Sequence, residues 1–202
     1  YGVYVKVLLG NISSAKSRLL AKVIDTYASS QDFRITINQG LLLKFVTKES
    51  LPFLFNELKQ LELATPGFDS VGDITACPGT DTCNLAISNS TNVTVELEKV
   101  IYAEFPDLVY NHDLKIKISG CMNSCGQHGL AHIGFHGSSF KVGANVVPAL
   151  QVLLGGGTVG NGDGRIAEKV IKVASKRGPD VLRTIFNDFQ KNAGQTISKL
   201  IN

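Results

Sequence analysis

Four cysteines in two close pairs limit this chain more than any other feature. Cys77 and Cys83 lie in ACPGTDTC, Cys121 and Cys125 lie in GCMNSC, and there are no others. Such a set is cross-linked, buried and inert, or gathered round a metal. The opening YGVYVKVLLG has no basic n-region, apolar h-region or cleavage site, and reads as a strand rather than a secretory leader. Close pairs without an export signal argue against a disulfide scaffold and for ligation or redox chemistry in a reducing compartment, so a cytoplasmic location is expected. The single methionine is Met122, in mid-chain, which predicts that the sequence was cut from a longer protein.

Composition excludes several other classes. With 44% hydrophobic and 18% charged residues over 202 positions, the chain is neither disordered nor collagen-like and is long enough to bury a sizeable core. Its apolar stretches, such as GLLLKFV, are strand-length and carry lysines, far short of the roughly 18 apolar residues a membrane helix needs, so no membrane partner is expected. Twenty Lys and Arg against 17 Asp and Glu give a net charge of +3 with no basic run, which argues against a nucleic-acid partner.

The periodicities predict an α+β chain. Val3, Val5, Val7 and Leu9 alternate as a strand, and Ala15, Leu19, Leu20, Val23, Ile24 and Tyr27 recur at helical spacing behind Ser13 or Ser14 as a cap. FRITIN and LLLKFVT flank Gln39-Gly40 as a hairpin, and Ser50-Leu51-Pro52 opens a helix to about Leu61. Residues 1–63 therefore read β-α-β-β-α. Ala64-Thr65-Pro66-Gly67 is the clearest punctuation and predicts a boundary between domains 1–63 and 64–202. In the second part, a helix is expected from Thr94 to about Glu104, strands at LKIKIS and Ala131 to Phe135, and a glycine loop at 155–164. Two helices follow, Ile166 to Ser175 and Pro179 to Asn192.

If Cys121 opens a helical turn after LKIKIS, Cys121 and Cys125 share one face at a helix N-terminus, where free N–H groups favour thiolates. On the other arm, Pro78 and Gly79 force a loop that can curl round a bulky object, with the N–H groups of Gly79, Thr80 and Asp81 free to point at sulfur. Structural zinc takes tighter knuckles than a five-residue gap; disulfides or inert thiols are the plainer alternatives. A [4Fe–4S] cluster is roomier and requires four thiolates, and it leads on chemistry, although the spacing is not that of a ferredoxin.

The pattern C-x5-C then C-x3-C, within CPGTDTCNLAISNS and SGCMNSCGQHGLAHIGF, resembles the sirohaem-dependent nitrite and sulfite reductases along the whole chain. The resemblance implies a ferredoxin-like half-domain at 1–63 followed by an α/β iron–sulfur and sirohaem domain at 64–202, together the C-terminal one of two pseudo-repeated halves. It implies Cys77, Cys83, Cys121 and Cys125 as cluster ligands, with Cys125 also the axial thiolate on sirohaem iron and hence the catalytic bridge. The implied activity is six-electron reduction of nitrite to ammonia or sulfite to sulfide, with a slight lean to nitrite from Asn-Ser-Cys-Gly-Gln. Implied partners are the N-terminal half and a low-potential donor, a ferredoxin or flavoprotein. Family cations that clamp the substrate come mainly from that other half, so the isolated chain is expected to be inactive. A structural half that only complements its partner, without cofactors, is the reading from a different class.

Other residues weigh less. Asn123, Ser124 and Gln127 flank the bridging cysteine and are candidates to hydrogen-bond sulfur or a macrocycle carboxylate, with helix capping as the plainer account. Lys115 and Lys117 share a strand face and are candidates for a sirohaem carboxylate, though such a pair is more often the solvated face of a half-buried sheet. His128, His132 and His136 recur every four residues, but glycines interrupt a helix there, so ordinary packing or solvent contact rather than ligation is expected. The glycine loop lacks both the P-loop and the dinucleotide signature and reads as a connection.

Overall fold

The computed structural model describes residues 1–28, 32–158 and 163–192. The chain divides into two compact units, Tyr1–Asp69 and Ser70–Asn202.

In the first unit, β1 (Val3–Val5) leads through a short 3-10 turn to α1 (Ser14–Tyr27), then β2 (Phe33–Ile35), β3 (Leu41–Leu43) and α2 (Leu51–Gln60). This is the β-α-β-β-α order read from periodicity. Ser13 Oγ accepts the Lys16 N–H at 3.2 Å, capping α1 as its sequence predicts. The three strands form an antiparallel sheet in the order β1-β3-β2, with Val5 opposite Leu41 and Val3 opposite Leu43. Leu20, Val23 and Ile24 of α1 and Leu54 and Leu58 of α2 are buried with Val5 and Leu43 in one core.

The second unit is built on β4 (Thr75–Ala76), α3 (Ser90–Glu104), β5 (Ile116–Ser119), β6 (Ile133–Val142), β7 (Asn145–Leu154), β8 (Gly157–Thr158), β9 (Gly164–Arg165), β10 (Glu168–Ala174) and α4 (Gly178–Lys191). Five strands form a mixed sheet, β10-β7-β6-β5-β4, in which β4, β5 and β6 run parallel and β7 and β10 antiparallel. Leu97 and Ile101 of α3 and Leu182 and Phe186 of α4 are fully buried, and the Phe105 ring meets Phe186 edge-on at 5.1 Å. All four residues of β5 are buried, so the strand that enters Cys121 runs through the core.

Several expectations change. Residues 166–175 are not a helix: Glu168–Ala174 is an edge strand with a register shift between Lys169 and Ile171. The helix expected from Thr94 begins at Ser90 behind an Asn89 cap, and the Thr94 hydroxyl instead donates to the Ser90 carbonyl at 2.9 Å. The strand expected at Ala131 to Phe135 begins at Ile133 and extends to Val142. β7 was not anticipated, because Pro148 sits in it; β10 ends opposite Ala149, so at Pro148 the strand has one neighbour only, where proline is tolerated. Of the expected glycine loop, 159–162 lie outside the described residues, and its flanks pair as β8 and β9. No helix among the described residues is long and apolar enough to cross a membrane.

Candidate iron–sulfur site

The cysteines sit where parallel strands end. β4 and β5 run side by side, Thr75 opposite Lys117 and Ala76 opposite Ile118, and each strand passes directly into a cysteine loop. Cys77 follows β4 at once and its N–H donates to the Ile118 carbonyl at 3.2 Å. Gly120, one residue past β5, donates its N–H to Cys77 Sγ at 3.0 Å. This N–H···S bond ties the first cysteine to the loop of the third.

The loops are pressed together wherever a side chain is missing. A Cβ on Gly120 would lie 2.7 Å from the Gly79 Cα, and one on Gly126 would lie 1.9 Å from the Ile118 carbonyl oxygen and 3.1 Å from the Cys77 nitrogen. Gly126, immediately after Cys125, is thereby seated against β5 and the start of the segment that bears Cys77. Cys83 belongs to the same assembly, since its N–H donates to the Gly79 carbonyl at 3.0 Å and its carbonyl accepts the Ala86 N–H at 3.2 Å. Gly79 itself has φ +58° and is backed by Ser90, whose hydroxyl donates to the Cys77 carbonyl at 2.7 Å.

All four thiols are free, Cys121 buried, Cys77 and Cys83 half-buried and Cys125 exposed. Disulfide pairing therefore does not describe them. Among the described residues, no three His, Cys, Asp or Glu side chains are grouped as one bound ion requires. Zinc draws its donors to a single point about 2.3 Å away, whereas a cubane takes thiolates at separate corners of a larger body. Four cysteines carried on the loops that follow β4 and β5 are the number of thiolate donors a cubane requires.

The expected local geometry is only partly realised. Residues 121–127 are turns, not a helical start: Ser124 and Gln127 have φ 62° and 60°, and the Gln127 N–H donates to the Ser124 carbonyl at 2.7 Å. Neither the shared helical face nor helix capping by Asn123, Ser124 and Gln127 applies, because Gly126 must lie flat on β5. On the other arm, the Asp81 N–H is taken by the Pro78 carbonyl at 3.3 Å rather than offered to sulfur. The sulfur's donor is Gly120, which the sequence could have signalled only through its place in Ser-Gly-Cys.

Lys117 is not on a solvated face. It is buried, and its Nζ donates to Gln127 Oε1 at 3.1 Å and Thr75 Oγ1 at 3.3 Å. Lys115, just before β5, is half-buried, and its N–H donates to His132 Nδ1 at 3.0 Å.

His132 is half-buried, while His128 and His136 are buried and meet, which the sequence did not reveal. His128 and His136 are buried ring against ring with centroids 4.8 Å apart. His128 Nδ1 lies 2.8 Å from the Ser119 hydroxyl, the same oxygen that accepts the Gly126 N–H at 3.0 Å. Burial first, then the facing His136 and Lys169, pushes His128 down to about 4. His132 is also lowered, chiefly by burial and then by Lys115.

A ferredoxin-like half-domain followed by a 4Fe-4S domain is the class these features define. One family model, the nitrite/sulfite reductase ferredoxin-like half domain, matches residues 1–61, and another, the nitrite and sulphite reductase 4Fe-4S domain, matches 67–198. The chain belongs to the nitrite and sulfite reductase family. It is 29% identical over 185 residues to a ferredoxin–nitrite reductase of Synechococcus elongatus, covering 91% of this chain and 35% of that protein. It is also 29% identical over 206 residues to an assimilatory ferredoxin-dependent nitrite reductase of Haloferax mediterranei, covering all of this chain and 34% of that one. The solved structure of the NirA protein of Mycobacterium tuberculosis aligns with a TM-score of 0.82 at 25% identity, over 99% of this chain and 37% of the other. The chain thus spans about a third of the length of the curated relatives it matches.

Proposed function

We propose that this chain is the C-terminal part of a cytoplasmic, assimilatory-type reductase that takes nitrite to ammonia or sulfite to sulfide, with residues 1–63 as half-domain and 64–202 as cofactor domain. Cys77, Cys83, Cys121 and Cys125 would hold a [4Fe–4S] cluster, with Cys125 shared with sirohaem iron. The observation that supports the reading is that the loops bearing the cysteines adjoin at the ends of parallel β4 and β5, with Gly126 close against the Ile118 carbonyl and Gly120 donating to Cys77 Sγ.

When bound, the two cofactors would supply the electron transfer by which nitrite takes up six electrons and eight protons to give ammonium and two waters. The protein's part is to place the donors and tune them. The Gly120 N–H lowers the electron density on Cys77 sulfur, and the buried strand β5 keeps water from that side of the site. Cys125 would be the thiol shared with a second centre, and its exposure is compatible with that role. Asn123 and Ser124 flank it and, with Lys115, are candidates to orient a carboxylated macrocycle, whereas the buried Lys117 and the Gln127 side chain are bonded to each other. An N-terminal half would complete the sirohaem pocket and bring the anion clamp, and a low-potential ferredoxin or flavoprotein would feed the cluster.

Anaerobic reconstitution of residues 1–202 with iron and sulfide tests this. About four irons per chain and broad absorption near roughly 400 nm are expected. Tight stoichiometric zinc with no iron uptake would replace the assignment with a zinc module. The reconstituted chain alone should reduce neither anion with dithionite, and addition of the N-terminal half should restore turnover; cofactor-free complementation would favour the purely structural half.

A further inference from the structure

The first residue of α3 is packed onto the first cysteine. Ser90 is 1% exposed, and its hydroxyl donates to the Cys77 carbonyl at 2.7 Å. The same oxygen stands 3.7 Å from Cys77 Sγ, the sulfur to which the Gly120 N–H donates at 3.0 Å. A serine hydroxyl has one proton to give and two lone pairs with which to accept. With its proton on the carbonyl, the Ser90 oxygen is left to accept the Cys77 S–H, so the side chain is bonded to one residue at both ends.

Two further contacts hold the serine where it is. Gly79, at φ +58°, comes so near that a Cβ there would meet the Ser90 hydroxyl and lie 2.6 Å from the Ser90 nitrogen. The Ser90 carbonyl accepts the hydroxyl of the fully buried Thr94 at 2.9 Å, inside the first turns of the helix. Ser90 thus belongs to a helix of 15 residues rather than to the cysteine loop. Its oxygen is fixed beside Cys77, and only the direction of its O–H bond is left to rotate.

We propose that Ser90 is a positioning residue that tunes Cys77: its hydroxyl accepts from the thiol in the metal-free chain and donates to the sulfur once that sulfur is a metal-bound thiolate. The inference rests on the reading of the four cysteines as cluster ligands. When Cys77 binds iron, its S–H proton is released to solvent and the sulfur becomes an acceptor only. The Ser90 O–H turns about its Cβ–Oγ bond from the neutral carbonyl towards the charged sulfur, the stronger acceptor, and no covalent bond of the serine is broken. Cys77 then has two donors, Gly120 and Ser90. Hydrogen bonds to a ligand sulfur favour the more negative, reduced form of what it holds, so the serine raises the reduction potential. A serine kept only to begin α3 would change melting when replaced and leave the potential where it was.

The test uses the 202-residue chain as wild type, Ser90→Ala, Ser90→Gly and Ser90→Thr, with Cys77→Ala as a marker. In the metal-free proteins the infrared S–H stretch is read: the band lost in Cys77→Ala belongs to Cys77, and it should move to higher frequency in Ser90→Ala. On the reconstituted proteins, iron content and an EPR-monitored redox titration are measured. Ser90→Ala and Ser90→Gly should keep their iron and lower the equilibrium constant for reduction at least threefold, which is about 28 mV for a one-electron couple, while Ser90→Thr, which retains a hydroxyl, should stay within that margin. An unmoved Cys77 band in Ser90→Ala would overturn the contact with the thiol. A change smaller than threefold in loaded Ser90→Ala, or a potential for Ser90→Thr as low as that of Ser90→Ala, would overturn the tuning by the hydroxyl. Should Ser90→Ala fail to fold, Ser90→Gly removes the same oxygen and decides both points. If wild type takes up no iron, the ligand assignment fails while the infrared band still judges the contact.

Discussion

Gly126→Ala is the sharpest probe of how the cysteine loops are assembled. The added Cβ would stand 1.9 Å from the Ile118 oxygen and 2.8 Å from its carbonyl carbon. An unstrained carbon–oxygen contact is about 3.3 Å or more, so the turn or the strand must move by over ~1 Å. No side chain can swing aside, because both clashing atoms are backbone, and β5 is paired on both flanks by β4 and β6. Overpacking of this kind costs about 3 kcal/mol, the upper part of the usual range. At roughly 2–4 °C per kcal/mol for a chain of this size, the melting temperature should fall by ~6–12 °C. Gly164→Ala is the control, since nothing lies within 4 Å of a Cβ there, and it should stay within ~0.5 kcal/mol of wild type. Scanning calorimetry measures both, and reconstitution should show reduced iron uptake in Gly126→Ala. Melting of the two variants within about 2 °C of each other would refute the claim that the second cysteine loop is seated on β5.

Acid should weaken the second unit through His128. Its ring titrates at about 4 in the folded chain against 6.5 unperturbed, so the unfolded state binds the extra proton between those values; stability is full above 6.5, falls as pH drops through the interval and levels off below about 4. The loss is at most ~3 kcal/mol, His132 adds to it in the same sense, and His128→Gln should flatten the profile; urea titrations of wild type showing equal stability at pH 7.5 and 5 would contradict this. Asn89→Ala removes the oxygen that accepts the Asn92 N–H and the amide that donates to Asp81 at 3.1 Å. It should cost ~1 kcal/mol, seen as a melting temperature lower by about 2–4 °C.

The first unit was legible because its signals are local: a serine cap, two helical faces and a hairpin each lie within one short stretch. The second unit hid its sheet for identifiable reasons. β10 is exposed along Glu168–Lys172 and shifts register after Lys169, so it shows no alternation, while Val170, Ile171 and Ala174 mimic helical spacing. Pro148 masked β7. In the site, the cysteines and the loop-forming Gly79 could be read directly, since thiols and glycines declare a chemical or steric need, whereas the donor role of Gly120 could not. The turn geometry at 121–127 could not, because it is imposed by contact of Gly126 with a strand eight residues earlier. Nor could the inward course of Lys117 or the meeting of His128 with His136, which depend on parallel pairing that no short window contains.

The parallel neighbourhood of β4 and β5 also dictates an order in time. Thr75 and Lys117 are 42 positions apart, whereas β6 and β7 close across a turn where Val142 faces Asn145. Loop-closure entropy makes the first pairing harder than the second by ~2 kcal/mol before any contact repays it. The long β6–β7 hairpin therefore forms early, and β5 then docks on β6 before β4, with only two residues, can add to β5. Cys77 joins Cys121 at the last of these steps. A nascent chain thus carries its cysteines on separate segments, and the loops that follow β4 and β5 come side by side only when the sheet is complete.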